Sequence, residues 1–121
     1  MSTLTVTNIK KTGETASRDA SGVAAAWANF DGTGTVAIRD SMNVASITDD
    51  GTGVYRLGLS NSFSNINYSG AGSSWRPGIG FGFLSAYSFD STTEFTVTTG
   101  NSGGGFSDNA ENSAQTWGDL A

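Results

Sequence analysis

The stretch Met42-Asn43-Val44-Ala45-Ser46-Ile47-Thr48-Asp49-Asp50-Gly51-Thr52-Gly53-Val54-Tyr55-Arg56-Leu57-Gly58-Leu59 decides the fold class. Asp49-Asp50-Gly51-Thr52-Gly53 is a strong turn signal, because Asp and Gly tolerate the positive φ that a tight hairpin needs. After it, Tyr55, Leu57 and Leu59 fall on one parity and Arg56 on the other. That is the period of a strand with one face inward. With Met42–Ile47 before the turn, the stretch predicts a hairpin.

The same rhythm extends upstream. Thr35–Arg39 places Val36 and Ile38 on one face, and Asp40-Ser41 is expected to break that strand. Val23–Phe30 (Val-Ala-Ala-Ala-Trp-Ala-Asn-Phe) is ambiguous. Its alanines favour helix, but Trp27 and Phe30 running into Asp31-Gly32-Thr33-Gly34 read as a strand entering a turn, and we take the strand. Lys10–Gly22 is polar and aperiodic, a linker or arm. Thr3–Ile9 alternates, with Leu4 and Val6 to one side, and predicts a half-buried strand.

Downstream, Asn61–Pro77 is polar, with a short strand expected over Ile66–Ser69 and a loop over Gly70–Gly78. Ile79–Phe89 carries Ile79, Phe81, Phe83, Tyr87 and Phe89 on one parity and Gly78, Gly80 and Gly82 on the other. Glu94–Thr98 predicts a strand with Phe95 and Val97 inward, Gly100–Asn109 a flexible loop, and Ala110–Leu120 a last strand ending at Trp117. The whole predicts an all-β, antiparallel β-sandwich, jelly-roll-like, of eight or nine short strands. Residues 1–22 form an N-terminal strand and arm, and 23–121 a single sandwich domain.

Composition agrees. Gly, Ser, Thr and Asn make up nearly half of the 121 residues, and charged residues 14%, against about 25% in ordinary globular domains. Seven Phe, three Trp and three Tyr argue against disorder, which is poor in aromatics. With so few large aliphatics the core is expected to be thin, and without Cys or His no disulfide or zinc can staple it. Oligomerisation is the remaining remedy, so subunits are expected to share a core.

The charge and the missing residue types bound the chemistry. At −5, with six scattered Lys and Arg, the chain lacks the cationic stripe of a nucleic-acid binder. No run of about 18 apolar residues offers a membrane span, and Met1–Val6 lacks the basic and apolar regions of a signal peptide. Without His or Cys, Ser-His-Asp and Cys-His sites are impossible. Paired carboxylates remain conceivable for glycoside cleavage, but the acidic residues stand mostly in turns (Asp31, Asp49, Asp50, Asp90, Asp108), and a carboxyl acid needs burial. Asp49-Asp50-Gly51-Thr52 offers too few oxygens in the right order for an EF-hand calcium loop. We therefore expect no catalytic residues, no metal ligands and no cofactor.

What remains is binding. Tyr68, Trp75 and Arg76 form the candidate ligand or partner surface, since Tyr, Trp and Arg dominate interface hot spots and flat aromatic faces stack on sugars. The competing reading folds Trp75 back into the core. Gly78, Gly80 and Gly82, with Trp27, are candidate subunit contacts, because bare backbone on one strand face invites close approach; a bulged strand is the alternative.

Three segments carry a family resemblance: Gly13–Arg18, Ser21–Ser41 (with Gly22-Val23-Ala24-Ala25-Ala26-Trp27-Ala28-Asn29-Phe30-Asp31-Gly32-Thr33-Gly34-Thr35 at its centre), and Asn43–Gly53. Together with the opening Ser2–Ile9 and the closing Trp117–Ala121, they resemble a module of tail-fibre and related virion structural proteins of tailed phages. The likeness is strong over residues 1–60 and reduces to strand rhythm over 61–116. Val54-Tyr55 stands where members tend to have Asp-Tyr, and the segment of Trp75 and the glycine-rich strand has no counterpart. The resemblance implies a non-enzymatic virion protein made in the host cytoplasm. It would be a homotrimer that attaches to a host surface glycan or to other virion structural proteins, or else a capsid decoration protein.

Overall fold

In the computed structural model the chain is an antiparallel β-sandwich. The structure describes residues 1–121 apart from 11, 79–81 and 90, and only the backbone of 18 and 85–87. Among the described residues the strands are β1 (Asn8–Ile9), β2 (Arg18–Asp19), β3 (Ala26–Asp31), β4 (Ala37–Met42), β5 (Val44–Gly51), β6 (Val54–Leu59), β7 (Ser69–Trp75), β8 (Phe83–Ser88), β9 (Glu94–Gly100) and β10 (Glu111–Trp117). One sheet runs β4-β3-β10-β7 and the other β5-β6-β9-β8. β1 and β2 pair only with each other, next to one turn of 3-10 helix (Ala20–Gly22) capped by the Asp19 carboxylate.

The two inner faces are unequal. The first sheet presents Ala26, Ala28 and Phe30 from β3 and Asn112, Ala114 and Thr116 from β10. The second presents Tyr55 and Leu57 from β6 and Phe95, Val97 and Thr99 from β9. Small side chains facing large ones let the layers interdigitate. Ala26 and Ala28 therefore belong to a strand, as part of the floor on which the large residues sit, while Ala24 and Ala25 precede it. Phe30 meets Tyr55 edge-on at 5.2 Å. A second aromatic cluster closes one end, where Tyr68 stacks on Phe63 at 4.0 Å and meets Phe89 edge-on at 4.9 Å.

The β5–β6 hairpin forms as the turn chemistry requires, with Tyr55 and Leu57 inward. β3, β9 and β10 also form where the alternation places them. Three expectations are corrected. Thr3–Val6 is not a strand; only Asn8–Ile9 pairs, and Leu4 stands 84% exposed. Asp40-Ser41 does not break β4, which continues to Met42. The break is Asn43, at φ 57°, a region Asn tolerates better than most residues. Its side chain donates to the carbonyls of Ala25 and Asn61 and accepts from the Asn61 N–H, fixing the corner at which the chain changes sheets.

The third correction is β7. Ile66 is exposed and lies outside any strand, while Gly70 to Trp75 forms a full strand paired residue by residue with β10. Ser-Gly-Ala-Gly-Ser-Ser has no apolar period, so its strand character comes from the neighbour's ladder. Ile79 and Phe81 of the predicted aromatic strand lie outside the described residues, as does the Tyr87 side chain; Phe83–Ser88 forms β8.

Candidate ligand-binding face

Parity within three adjacent strands builds the candidate site. In β3, Trp27, Asn29 and Asp31 alternate with buried Ala26, Ala28 and Phe30. In β10, Glu111, Ser113, Gln115 and Trp117 alternate with buried Asn112, Ala114 and Thr116. In β7, Ser73 and Trp75 flank buried Ser74. All three tryptophans of the chain therefore stand on the outer face of one sheet, and Trp75 is 44% exposed.

Register fixes their spacing. Trp75 lies opposite Glu111, Ser73 opposite Ser113, Ala71 opposite Gln115 and Ser69 opposite Trp117. Trp27 lies opposite Gln115 from the other side and opposite Met42 of β4. Trp27 and Trp117 are thus diagonal neighbours, with Trp75 at the far end. Two grooves open on this face. One, of about 280 Å³, has Trp75, Asn29, Ser73, Glu111 and Ser113 in its walls. The other, of about 380 Å³, has Trp117, Asn65, Asn67, Ser69 and Asp119. In the wall of the first, Ser73 Oγ and Ser113 Oγ lie 3.3 Å apart.

Beside Trp75 the charges are ordered. Arg39 reaches from β4 between two carboxylates, 3.2 Å from Asp31 Oδ2 and 3.4 Å from Glu111 Oε2. The Thr33 hydroxyl and backbone N–H donate to Asp31 Oδ1 at 2.6 and 2.8 Å. These bonds, with Arg39 alongside, hold the Asp31 carboxyl below its ordinary value. A general acid for glycoside cleavage needs the opposite shift. Among the described residues no cluster of three His, Cys, Asp or Glu could hold a metal ion.

The predicted site residues separate. Trp75 is on the surface. Arg76 follows it, half-buried, and is not among the residues lining the groove. Tyr68 is not a surface residue: it is 5% exposed and its hydroxyl lies 2.8 Å from the Ser91 carbonyl. Trp27 belongs with Trp75 and Trp117. Gly82 serves a contact within the chain, since a Cβ there would meet Asn109 Nδ2 at 2.5 Å and Ser74 Oγ at 3.2 Å. Gly78 has φ +84° and open space around it, and Gly80 lies outside the described residues. Sequence reasoning missed Trp117, Glu111 and Ser113 as surface companions of Trp75. The period of Glu111–Trp117 held that signal, but nothing local paired it with the unrecognised β7.

A buried polar network supports the face from beneath. Asn109 Nδ2 donates to Ser74 Oγ at 2.7 Å and to the Gly100 carbonyl at 3.0 Å, while its Oδ1 accepts from Ser107 Oγ at 2.8 Å. Ser74 Oγ in turn donates to Asn112 Oδ1 at 2.7 Å, and Asn112 Nδ2 donates to the Asn109 carbonyl at 2.7 Å. Among the described residues no buried side-chain polar atom lacks a partner, which is the condition under which such networks add rigidity.

No family model, no curated protein and no solved structure matches the chain.

Proposed function

We propose that this chain is a non-enzymatic structural protein of a phage virion, of the tail-fibre or appendage type, that mediates attachment to a host surface glycan or to a neighbouring virion protein. The observation that carries this reading is the placement of exposed Trp75 and half-buried Trp27 and Trp117 on the outer face of one sheet, with grooves walled by hydroxyl, amide and carboxylate groups beside Trp75 and Trp117. Trp75 is left 44% exposed although an aromatic side chain is among the largest sources of burial energy. The resemblance of residues 1–60 to tail-fibre modules supplies the virion context. Weak sites repeated around a homotrimer would gain strength through effective concentration. Saturating purified protein should block phage adsorption to host cells; unimpeded adsorption would overturn the reading.

A second reading, capsid decoration, is favoured by one observation. Met1, Leu4 and Val6 are exposed in a segment that precedes the first strand. Such an arm suits a clamp reaching onto neighbouring subunits. Heads assembled without the protein should then lose thermal stability, and unchanged stability would remove this reading.

A further inference from the structure

We propose that the tryptophan face takes an extended, uncharged polysaccharide laid along β7 and β10, with one sugar ring on Trp75 and another on Trp117. This rests on the attachment reading above and names its ligand.

Length comes from the register. Trp75 pairs with Glu111, and Trp117 pairs with Ser69, six positions away along the same two strands. At the rise of an antiparallel strand the two rings stand about 20 Å apart, a span that a disaccharide cannot bridge and a longer chain can. Ser73, Ser113, Ala71 and Gln115 occupy the path between them, and their side chains are small or hydrogen-bonding. Trp27, diagonal to Trp117 across Gln115, widens the platform at that end.

Ligand chemistry comes from what lines the path. A sugar ring has an apolar C–H face and a rim of hydroxyls. The aromatic faces suit the first, and the Ser and Asn side chains of both grooves suit the second. A protein partner would instead call for a contiguous apolar centre, whereas here Trp75 is separated from Trp117 by Ser73, Ser113, Ala71 and Gln115. Charge selects the class of polysaccharide. Asp31 and Glu111 lie at one end and Asp119 at the other, and Arg39 is already shared between the first two. The whole chain carries −5. An acidic polysaccharide would be repelled, and among the described residues that line the two grooves there is no Lys or Arg to receive it.

The test uses the full chain on a biosensor against linear neutral gluco- and N-acetylglucosamine oligosaccharides, from disaccharide to octasaccharide, and against acidic uronate oligomers of the same lengths. Neutral octasaccharides should bind at least about tenfold more tightly than disaccharides. Trp75→Ala and Trp117→Ala should each remove that gain, and Ser113→Leu, midway between them, should do the same while both tryptophans remain. All three positions are solvent-facing, and unchanged melting temperatures would establish that the variants fold. Preference for uronates, equal affinity for short and long chains, or no carbohydrate binding would each overturn the proposal. Blocked adsorption without carbohydrate binding would reject this ligand and leave attachment standing; carbohydrate binding without blocked adsorption would do the reverse.

Discussion

The hydroxyl of Tyr55 donates to the Asp108 carboxylate 2.8 Å away, and the same carboxylate oxygen accepts the Gly53 N–H at 2.7 Å. The Gly32 carbonyl lies 3.2 Å from that hydroxyl. One phenol on β6 thus joins the end of β3 in the opposite sheet to the loop that precedes β10. Tyr55→Phe should cost about 1–2 kcal/mol and Asp108→Ala about 2–3 kcal/mol, because the second change strips both the Tyr55 hydroxyl and the Gly53 N–H of their carboxylate acceptor. Urea unfolding with an unchanged slope would check this, and a double variant less destabilised than the sum would show the coupling.

The same contact makes stability sensitive to alkali. Burial, then the bond to Asp108, pushes the Tyr55 hydroxyl well above its ordinary value of 10.0. A raised value means the folded state favours the neutral phenol. The stabilisation is therefore complete below pH about 10 and is lost as pH rises beyond it toward the folded-state value. Melting temperatures should fall from about pH 10 upward, and Tyr55→Phe should flatten that fall. Parallel slopes in the two proteins would sink the assignment.

In acid the sign reverses. Hydrogen bonds from Thr33 hold Asp31 low, and the bond from Arg56 holds Asp50 low. Depressed carboxyls stabilise the fold above their ordinary 3.8 and lose that contribution as pH falls through the folded values. Both groups are largely exposed, so the effect should be small and weakened by salt. Scanning calorimetry of Asp31→Asn and Asp50→Asn from about pH 5 downward should show shallower acid slopes than the parent.

Asn109 and Gly82 meet closely beneath the binding face. Gly82→Ala would press a methyl against the Asn109 amide and should destabilise by about 1–3 kcal/mol. Asn109→Ala should cost about 3 kcal/mol, since the network loses its central donor and acceptor. Thermal melts of each would decide, and a neutral Gly82→Ala would contradict the packing described.

The exposed arm bears on the proposed homotrimer, because Leu4 and Val6 are apolar side chains left in water. Leu4→Asp with Val6→Asp lies outside both four-stranded sheets, and if the proposed homotrimer is held through this arm, mass photometry of the double variant should show monomers. A trimer that survives the double change would place its contacts elsewhere.

Legibility of the sequence followed how local each cause was. The β5–β6 hairpin is written in adjacent residues, because Asp and Gly make the turn and Tyr55 and Leu57 repeat at period two. β7 was illegible because its inward positions are Ser74 and glycines, and it is a strand only by courtesy of β10's ladder. Tyr68 read as surface because Phe89 and the Ser91 carbonyl, which cover it together with nearby Phe63, come from a segment some twenty positions away. The tryptophan face was half legible: Trp75 stood out, but its alignment with Glu111 and Trp117 depends on a pairing between segments more than thirty positions apart.

The unequal sheets have a consequence for how such a protein can diverge. Since Ala26, Ala28 and Ala114 form the floor and the large residues hang from the other layer, the outward positions 27, 29, 73, 75, 113 and 117 can be exchanged with little disturbance beneath them. A lineage pressed to recognise a changed surface would have a panel of replaceable positions on one side of the molecule. The side chains that hold it together would stay as they are.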